Sequence, residues 1–148
     1  MKEVDPPYDE LPMRVNRIAY REFTRNPDLT FDQFKERLGR DVLGDAATPQ
    51  GVQDLLDLQA IFAMERTWCQ PSPVVCPERV RAMKAQGTLT AKKRDEYRAA
   101  LIKLKVMEVW HREATPDGER QLHRIAKWVL DQWEGDNRTL LEVGGPAK

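Results

Sequence analysis

Apolar residues recur every three or four positions along most of the chain, which is the spacing of one face of an α-helix. Segments containing proline or glycine interrupt this pattern and divide residues 12–135 into six amphipathic helices. No stretch alternates apolar and polar residues as a half-buried strand does. The pattern therefore predicts an all-α, single-domain bundle of about six helices.

The starts and ends of several helices carry recognisable capping residues. Thr30 is followed three positions later by Gln33, which predicts a capping box at the start of the second helix. Thr48 precedes Pro49 at the start of the third helix, and a proline is well tolerated in a first helical turn. Gly87 follows the fourth helix, where a glycine commonly ends one.

The third and fifth helices have the broadest apolar stripes. In the third helix these residues predict a central position in the bundle: Val52, Leu55, Leu56, Leu58, Ile61, Phe62 and Ala63. In the fifth, we expect one ridge to face the core, formed by Tyr97, Leu101, Leu104 and Met107. Beside that ridge lie Ile102, Val106 and Val109. Because both stripes are wide, a homo-oligomer is one expectation.

The two ends of the chain lack the helical pattern. Pro6 and Pro7 disfavour a helix, so residues 1–11 are predicted to form an extended arm. Residues 136–148 contain a Gly-Gly-Pro sequence and are predicted to form a flexible tail.

Composition and charge narrow the functional classes. The chain has 148 residues with 24 basic and 24 acidic side chains, so its net charge is zero and non-specific binding to polyanions is not expected. No apolar run approaches the length of a membrane span, and the N-terminus lacks the apolar core of a signal peptide. We therefore expect a cytoplasmic protein with reduced cysteines and no membrane partner.

A local excess of positive charge gives one alternative function. Residues 78–113 contain 10 basic and 5 acidic side chains. A nucleic-acid-binding module using residues 79–105 would draw on Arg79, Arg81, Lys92, Lys93 and Arg94. Interspersed acidic residues favour a solvated helix face instead. Trp128 lies between Lys127 and Val129 and is expected to be half exposed, which makes it a further candidate for a binding surface.

Two cysteines and two histidines are the candidates for metal or thiol chemistry. Cys69 and Cys76 are separated by six residues, whereas zinc knuckles and redox pairs use closer spacings. His111 and His123 could complete four ligands, but their separation of eleven residues matches no common zinc pattern. The prolines around the cysteines indicate a stiff connector, and neither a metal nor a cofactor is expected. A thiol- or metal-dependent enzyme centred on Cys69 and Cys76 remains the third hypothesis.

Other polar residues give no coherent active site. His111 is expected at the end of the fifth helix, where it would complement the helix dipole. Paired carboxylates such as Asp54 and Asp57 have the residue types of a glycosidase, but we expect them on a solvated helix face. A non-catalytic protein is therefore favoured over an enzyme.

Four segments carry a resemblance to a known class: "PYDELPMRVNRIAYREF", "VQDLLDLQAIF", "TWCQPSP" and "RIAKWVLDQWEG". They resemble the helical region that follows the catalytic barrel in bacterial glycoside-hydrolase-like proteins of the hexosaminidase type. The resemblance spans most of residues 7–135 and covers packing motifs, and no catalytic residue of that class maps onto this chain. It implies a non-catalytic accessory domain, or the detached C-terminal part of a larger carbohydrate-active protein, with "DPPYDELP" as the chain arriving from a barrel. The leading hypothesis is thus an interaction domain that docks onto a protein partner or neighbouring domain.

Overall fold

The computed structural model describes residues 10–44, 47–64, 72–112 and 117–142. Within these ranges the chain is helical and contains no β-strand, which confirms the all-α prediction. The six α-helices are α1 Glu10–Arg25, α2 Phe31–Leu43, α3 Pro49–Ala63, α4 Pro77–Gln86, α5 Ala91–Trp110 and α6 Asp117–Gln132. Two 3₁₀ helices span Pro73–Val75 and Gly135–Leu141.

The predicted caps are formed as the sequence indicates. Thr30 Oγ1 accepts a hydrogen bond from the Gln33 amide at 3.1 Å, and Gln33 Oε1 accepts one from the Thr30 amide at 3.0 Å. Thr48 and Thr90 cap α3 and α5 in the same way, each by accepting a hydrogen bond from a backbone amide in the first turn. These contacts satisfy amides that have no partner inside the helix, so the starts of three helices are fixed locally.

Helix α3 is central, because it contacts α1, α2, α5 and α6. The most extensive pairing is between α5 and α6, which follow each other along the chain. One continuous apolar core joins these elements, and its fully buried members include Leu38, Leu55, Leu58, Phe62, Leu104, Leu122, Ile125 and Val129. Burying each such side chain stabilises the fold by about 1.5–3 kcal/mol, so this core dominates the stability.

The close approach of α2 and α3 depends on Gly39. A Cβ atom at this position would lie 2.6 Å from Val52 Cγ2, which is far inside van der Waals contact. The lack of a side chain at Gly39 lets α3 pack directly against the α2 backbone.

A charged network joins α1 to α2. The carboxylate of Glu22 accepts hydrogen bonds from Arg37 Nη1 at 2.6 Å and from Arg21 Nε at 2.9 Å. These two bonds, with Arg37 contributing most, hold the pKa of Glu22 below its usual value. Arg21 also donates to Asp41 at 2.6 Å, so the network spans both helices.

The proline-containing connector before α4 is tied to the C-terminal end of the bundle. Val74 and Val75 are buried in the 3₁₀ helix, and Ser72 Oγ accepts a hydrogen bond from the Val74 amide at 3.3 Å. The Trp133 indole Nε1 donates to the Val74 carbonyl at 2.7 Å within the core. This segment is therefore a packed structural turn.

The ends of the described chain differ in part from the sequence predictions. Of the predicted arm, 1–11, residues 1–9 lie outside the described residues, and the last two belong to α1. Residues 135–141, at the start of the predicted tail, form a 3₁₀ helix that buries Leu140 and Leu141. A sequence of seven residues is too short to show a helical period, which explains why this element was not predicted. The rest of the tail, from residue 143 onward, lies outside the described residues.

Candidate functional site

The structure describes one of the two cysteines. Cys69 lies outside the described residues, whereas Cys76 is a half-buried free thiol directly before α4. Burial raises the pKa of the Cys76 thiol, although the nearby Arg79 acts in the opposite direction. A raised pKa lowers the fraction of reactive thiolate at neutral pH.

His111 forms a buried pair with Asp54. Its Nε2 lies 2.6 Å from Asp54 Oδ2, and Gln50 Nε2 donates to Asp54 Oδ1 at 2.9 Å. Both His111 and Asp54 are buried, at 0% and 6% exposed. The expectation that Asp54 lies on a solvated helix face is therefore wrong. It shares the buried face of α3 with Leu58, four residues further on, because positions i and i+4 stack on one side of a helix.

His123 has a different partner from His111. Its Nδ1 donates to the Glu108 carbonyl oxygen at 2.6 Å, and Glu108 Oε2 lies 3.4 Å from the same nitrogen. This arrangement fixes α6 against the last turns of α5. Across the part of the chain that the structure describes, no three His, Cys, Asp or Glu side chains gather closely enough to bind a metal ion.

The buried pair of Asp54 and His111 has the residue types of an acid–base couple. A general base must come within hydrogen-bonding distance of the proton that it removes from a substrate. The His111 side chain has no exposed surface, and its Nε2 is already engaged by Asp54. The pair therefore joins α3 to the end of α5 as a structural contact.

The residues that the sequence suggested for a binding surface are spread over three helices. Arg79 and Arg81 belong to α4, where Arg81 donates a hydrogen bond to the Asn137 side chain. Lys92, Lys93 and Arg94 occupy the first turn of α5, and of these Lys92 is exposed. Trp128 of α6 is partly buried and packs against the core. A shared surface for these residues stays a prediction.

A different surface stands out on α5. Four large apolar side chains are more than half exposed: Ile102 at 65%, Val106 at 59%, Val109 at 57% and Trp110 at 63%. Their spacing of four, three and one residues places them on one side of the helix. We call these four residues the α5 outer face.

The α5 outer face points away from the core. Each residue turns a helix by about 100°, so Ile102 and Val106, each two positions from Leu104, project almost opposite to it. Leu104 is fully buried, as are its inward neighbours Tyr97 and Met107. The apolar pattern predicted that Ile102, Val106 and Val109 lie beside the core ridge. The structure shows that the helix carries two opposite apolar faces and buries one of them.

A groove runs along one flank of α5. It lies between α3 and α5 and encloses about 430 Å³. Its floor is formed mainly by small or apolar residues: Ala60, Ile61, Met64, Ala99 and Ala100. Its rim carries Asp57, Glu96 and Lys103. Ala99 is exposed and precedes Ile102 by three positions, so the groove adjoins the α5 outer face.

The sequence of α5 contains a signal for this surface, namely a second set of apolar positions. Apolar residues occupy positions on both sides of α5, whereas a surface helix of a bundle ordinarily has one apolar stripe. A helix with two apolar faces is typical of one that contacts neighbours on both sides. Among the described residues, other elements of the bundle pack against the face of α5 that contains Leu104, and none covers the opposite face.

Comparisons of the chain with models of protein families, with curated proteins and with solved structures found no match. The resemblance to hexosaminidase-type proteins therefore stays an expectation from the sequence. No described helix has the length and apolar character needed to cross a bilayer.

Proposed function

We propose that this protein is a non-catalytic helical interaction domain that docks onto a protein partner, or onto a neighbouring domain, through the α5 outer face. The observation that carries this proposal is the cluster of Ile102, Val106, Val109 and Trp110 on one side of α5, each more than half exposed. Contiguous exposed apolar patches on a folded domain commonly mark surfaces that bind another molecule.

The energetics of burial support this role. Full burial of an aliphatic or aromatic side chain stabilises a complex by about 1.5–3 kcal/mol. In the α5 outer face more than half of each side chain is still exposed, so more than half of this free energy is available on binding. Covering four such residues thus provides about 4–7 kcal/mol before the entropy cost of association. Trp110 supplies the aromatic anchor that is common at the centre of protein interfaces.

The other hypotheses receive less support from the geometry. The raised pKa of the Cys76 thiol disfavours a thiol enzyme. A nucleic-acid surface over residues 79–105 would bind phosphates through the basic side chains of α5. That hypothesis leaves the three exposed aliphatic side chains of the same helix unexplained. If the resemblance to hexosaminidase-type proteins is correct, the neighbouring domain would be the barrel of such a protein. The proposal also places the protein in the cytoplasm, in keeping with the free thiol of Cys76.

Site-specific photo-crosslinking in the native cells tests the proposal. A photoreactive aromatic amino acid replaces Val109, and in a matched control it replaces Tyr20. Tyr20 is 77% exposed and lies on α1, outside the proposed surface, so the two probes have similar access to solvent. Thermal melts of both variants confirm that folding is unchanged.

The proposal predicts a discrete crosslinked product from position 109 and none of the same size from position 20. It also predicts that the product disappears when Ile102 and Val106 are replaced by serine. Equal products from both positions, or no product from position 109, would show that this face contacts no partner. A product that a nuclease removes would favour the nucleic-acid hypothesis instead.

A further inference from the structure

We infer that the partner presents an acidic amphipathic helix to the α5 outer face, in preference to a second copy of this chain. The inference rests on the proposed docking function and adds the chemistry of the partner. It follows from the spacing of the exposed apolar residues and from the charges beside them.

The spacing indicates a helix as the occupant. Ala99, Ile102, Val106 and Val109 are exposed and follow one another at intervals of three, four and three residues. This is the interval of a coiled-coil seam, in which each apolar side chain inserts between four residues of the facing helix. The groove between α3 and α5 begins beside Ala99 and offers space for a larger side chain from that helix.

The charges beside the seam are predominantly basic. Between residues 97 and 107, α5 carries Arg98, Lys103 and Lys105 and no acidic residue. Arg98 lies 3.4 Å from Asp95, and Lys103 lies 3.6 Å from Asp57 of α3. The Arg98 side chain is 40% exposed and the Lys103 side chain is 59% exposed, so both ion pairs are reached by solvent, are weak and leave positive charge available to a partner. The acidic residues of α5 lie outside this stretch, at Asp95, Glu96 and Glu108.

An antiparallel pairing of two copies conflicts with these charges. A two-fold axis that matches Ile102 with Val106 of the second copy crosses α5 at the height of position 104, on the side of the helix opposite to the Leu104 side chain. A residue close to a two-fold axis faces the same residue of the second copy. Lys103 would therefore lie opposite the second Lys103, and Lys105 opposite the second Lys105. Like charges in direct opposition disfavour association, so the seam selects against this dimer.

A parallel pairing of two copies meets the same difficulty. In parallel helix pairs, a residue flanking the seam faces the residue five positions further along the other helix. Arg98 would then face Lys103 of the second copy, and the contact would occur twice. An acidic helix has neither problem, because its carboxylates would face Arg98, Lys103 and Lys105.

A titration with designed peptides tests the inference on the full chain. The first peptide has about three heptads, with leucine at seam positions and glutamate at flanking positions. The second carries lysine in place of every glutamate, and the third keeps glutamate but has serine in the seam. Binding is measured at low and at physiological salt, and the self-association of the chain is measured by sedimentation equilibrium.

We expect the glutamate peptide to bind at least about tenfold more tightly than the lysine peptide, with a difference that narrows at higher salt. The serine peptide should not bind. The variant K103E/K105E should reverse the preference, and the I102S/V106S variant should abolish binding. Both pairs of substitutions are at exposed positions, so circular dichroism should show unchanged folding.

Several results would overturn the inference. Equal binding of the acidic and basic peptides would exclude charge selection. If the chain self-associates and the I102S/V106S variant does not, the occupant is a second copy. If the chain binds phosphatidylserine vesicles and the same variant does not, the occupant is a lipid surface. If crosslinking from position 109 succeeds while the acidic peptide fails, the docking function stands and the partner chemistry is wrong. If both fail, the docking function itself is excluded.

Discussion

The two faces of α5 predict losses of stability of very different size for the same kind of substitution. Ile102→Ala removes an apolar side chain from the outer face, and Leu104→Ala removes one from the core face of the same helix. The positions are two residues apart, so differences in helix position contribute little. The difference in the free energy of unfolding between the two variants shows how much the outer face contributes to the stability of the isolated chain.

The expected magnitudes follow from the exposed fractions. Ile102 is 65% exposed, so about one third of its side chain is covered by the protein. Losing three carbon groups at about 0.8 kcal/mol each, scaled by that third, costs about 0.8 kcal/mol. Alanine returns roughly 0.4 kcal/mol through its better helix propensity, which leaves a net loss near 0.4 kcal/mol. Leu104 is fully buried, so its truncation should cost about 2–5 kcal/mol.

Urea unfolding followed by far-ultraviolet circular dichroism measures both values on one scale. We expect the Ile102→Ala midpoint to lie close to that of the wild type and the Leu104→Ala midpoint to fall markedly, with similar slopes. A loss of 2 kcal/mol or more for Ile102→Ala would show that this residue is part of the core in solution. The distinction between the two faces of α5 would then be incorrect.

Three further predictions concern the interior. Gly39→Ala should destabilise the fold by about 1–3 kcal/mol in thermal melts, because the new Cβ meets Val52, and a gain of stability would show that α2 and α3 pack less closely. Asp54→Ala should cost about 1–3 kcal/mol by removing the partner of buried His111, while Asp54→Asn should cost less; equal losses would argue against the hydrogen bond. The Cys76 thiol should react with a disulfide reagent more slowly than free cysteine at pH 7, and its rate should rise with pH because burial raises its pKa. A rate equal to that of free cysteine would contradict the raised pKa.

Local features of this fold could be predicted from the sequence. The capping box of Thr30 and Gln33 and the helix end at Gly87 involve residues within a few positions of each other, so their chemistry is visible without the fold. The contact of Asp54 with His111 joins residues 57 positions apart, and no local pattern reveals which carboxylate a distant histidine will meet. The burial of Asp54 was mispredicted for this reason.

The candidate site was harder to predict than the fold. Apolar periodicity predicted that Ile102 lies beside the core ridge that contains Leu104, because both positions are compatible with burial inside a bundle. Only the arrangement of α3 and α6 around α5 decides which side stays uncovered. The 63% exposure of Trp110 likewise follows from that packing.

The most direct test of the central claim is the reactivity of Trp110 in its native cells. Hydroxyl-radical labelling followed by mass spectrometry compares the oxidation of Trp110 with that of Tyr20, in cells and in the purified chain. Both side chains are exposed in the isolated protein, at 63% and 77%. The account predicts that the ratio of Trp110 to Tyr20 oxidation falls severalfold in cells, because a partner covers the α5 outer face. The same ratio in both settings would show that this face remains uncovered in cells, and the docking function would be wrong.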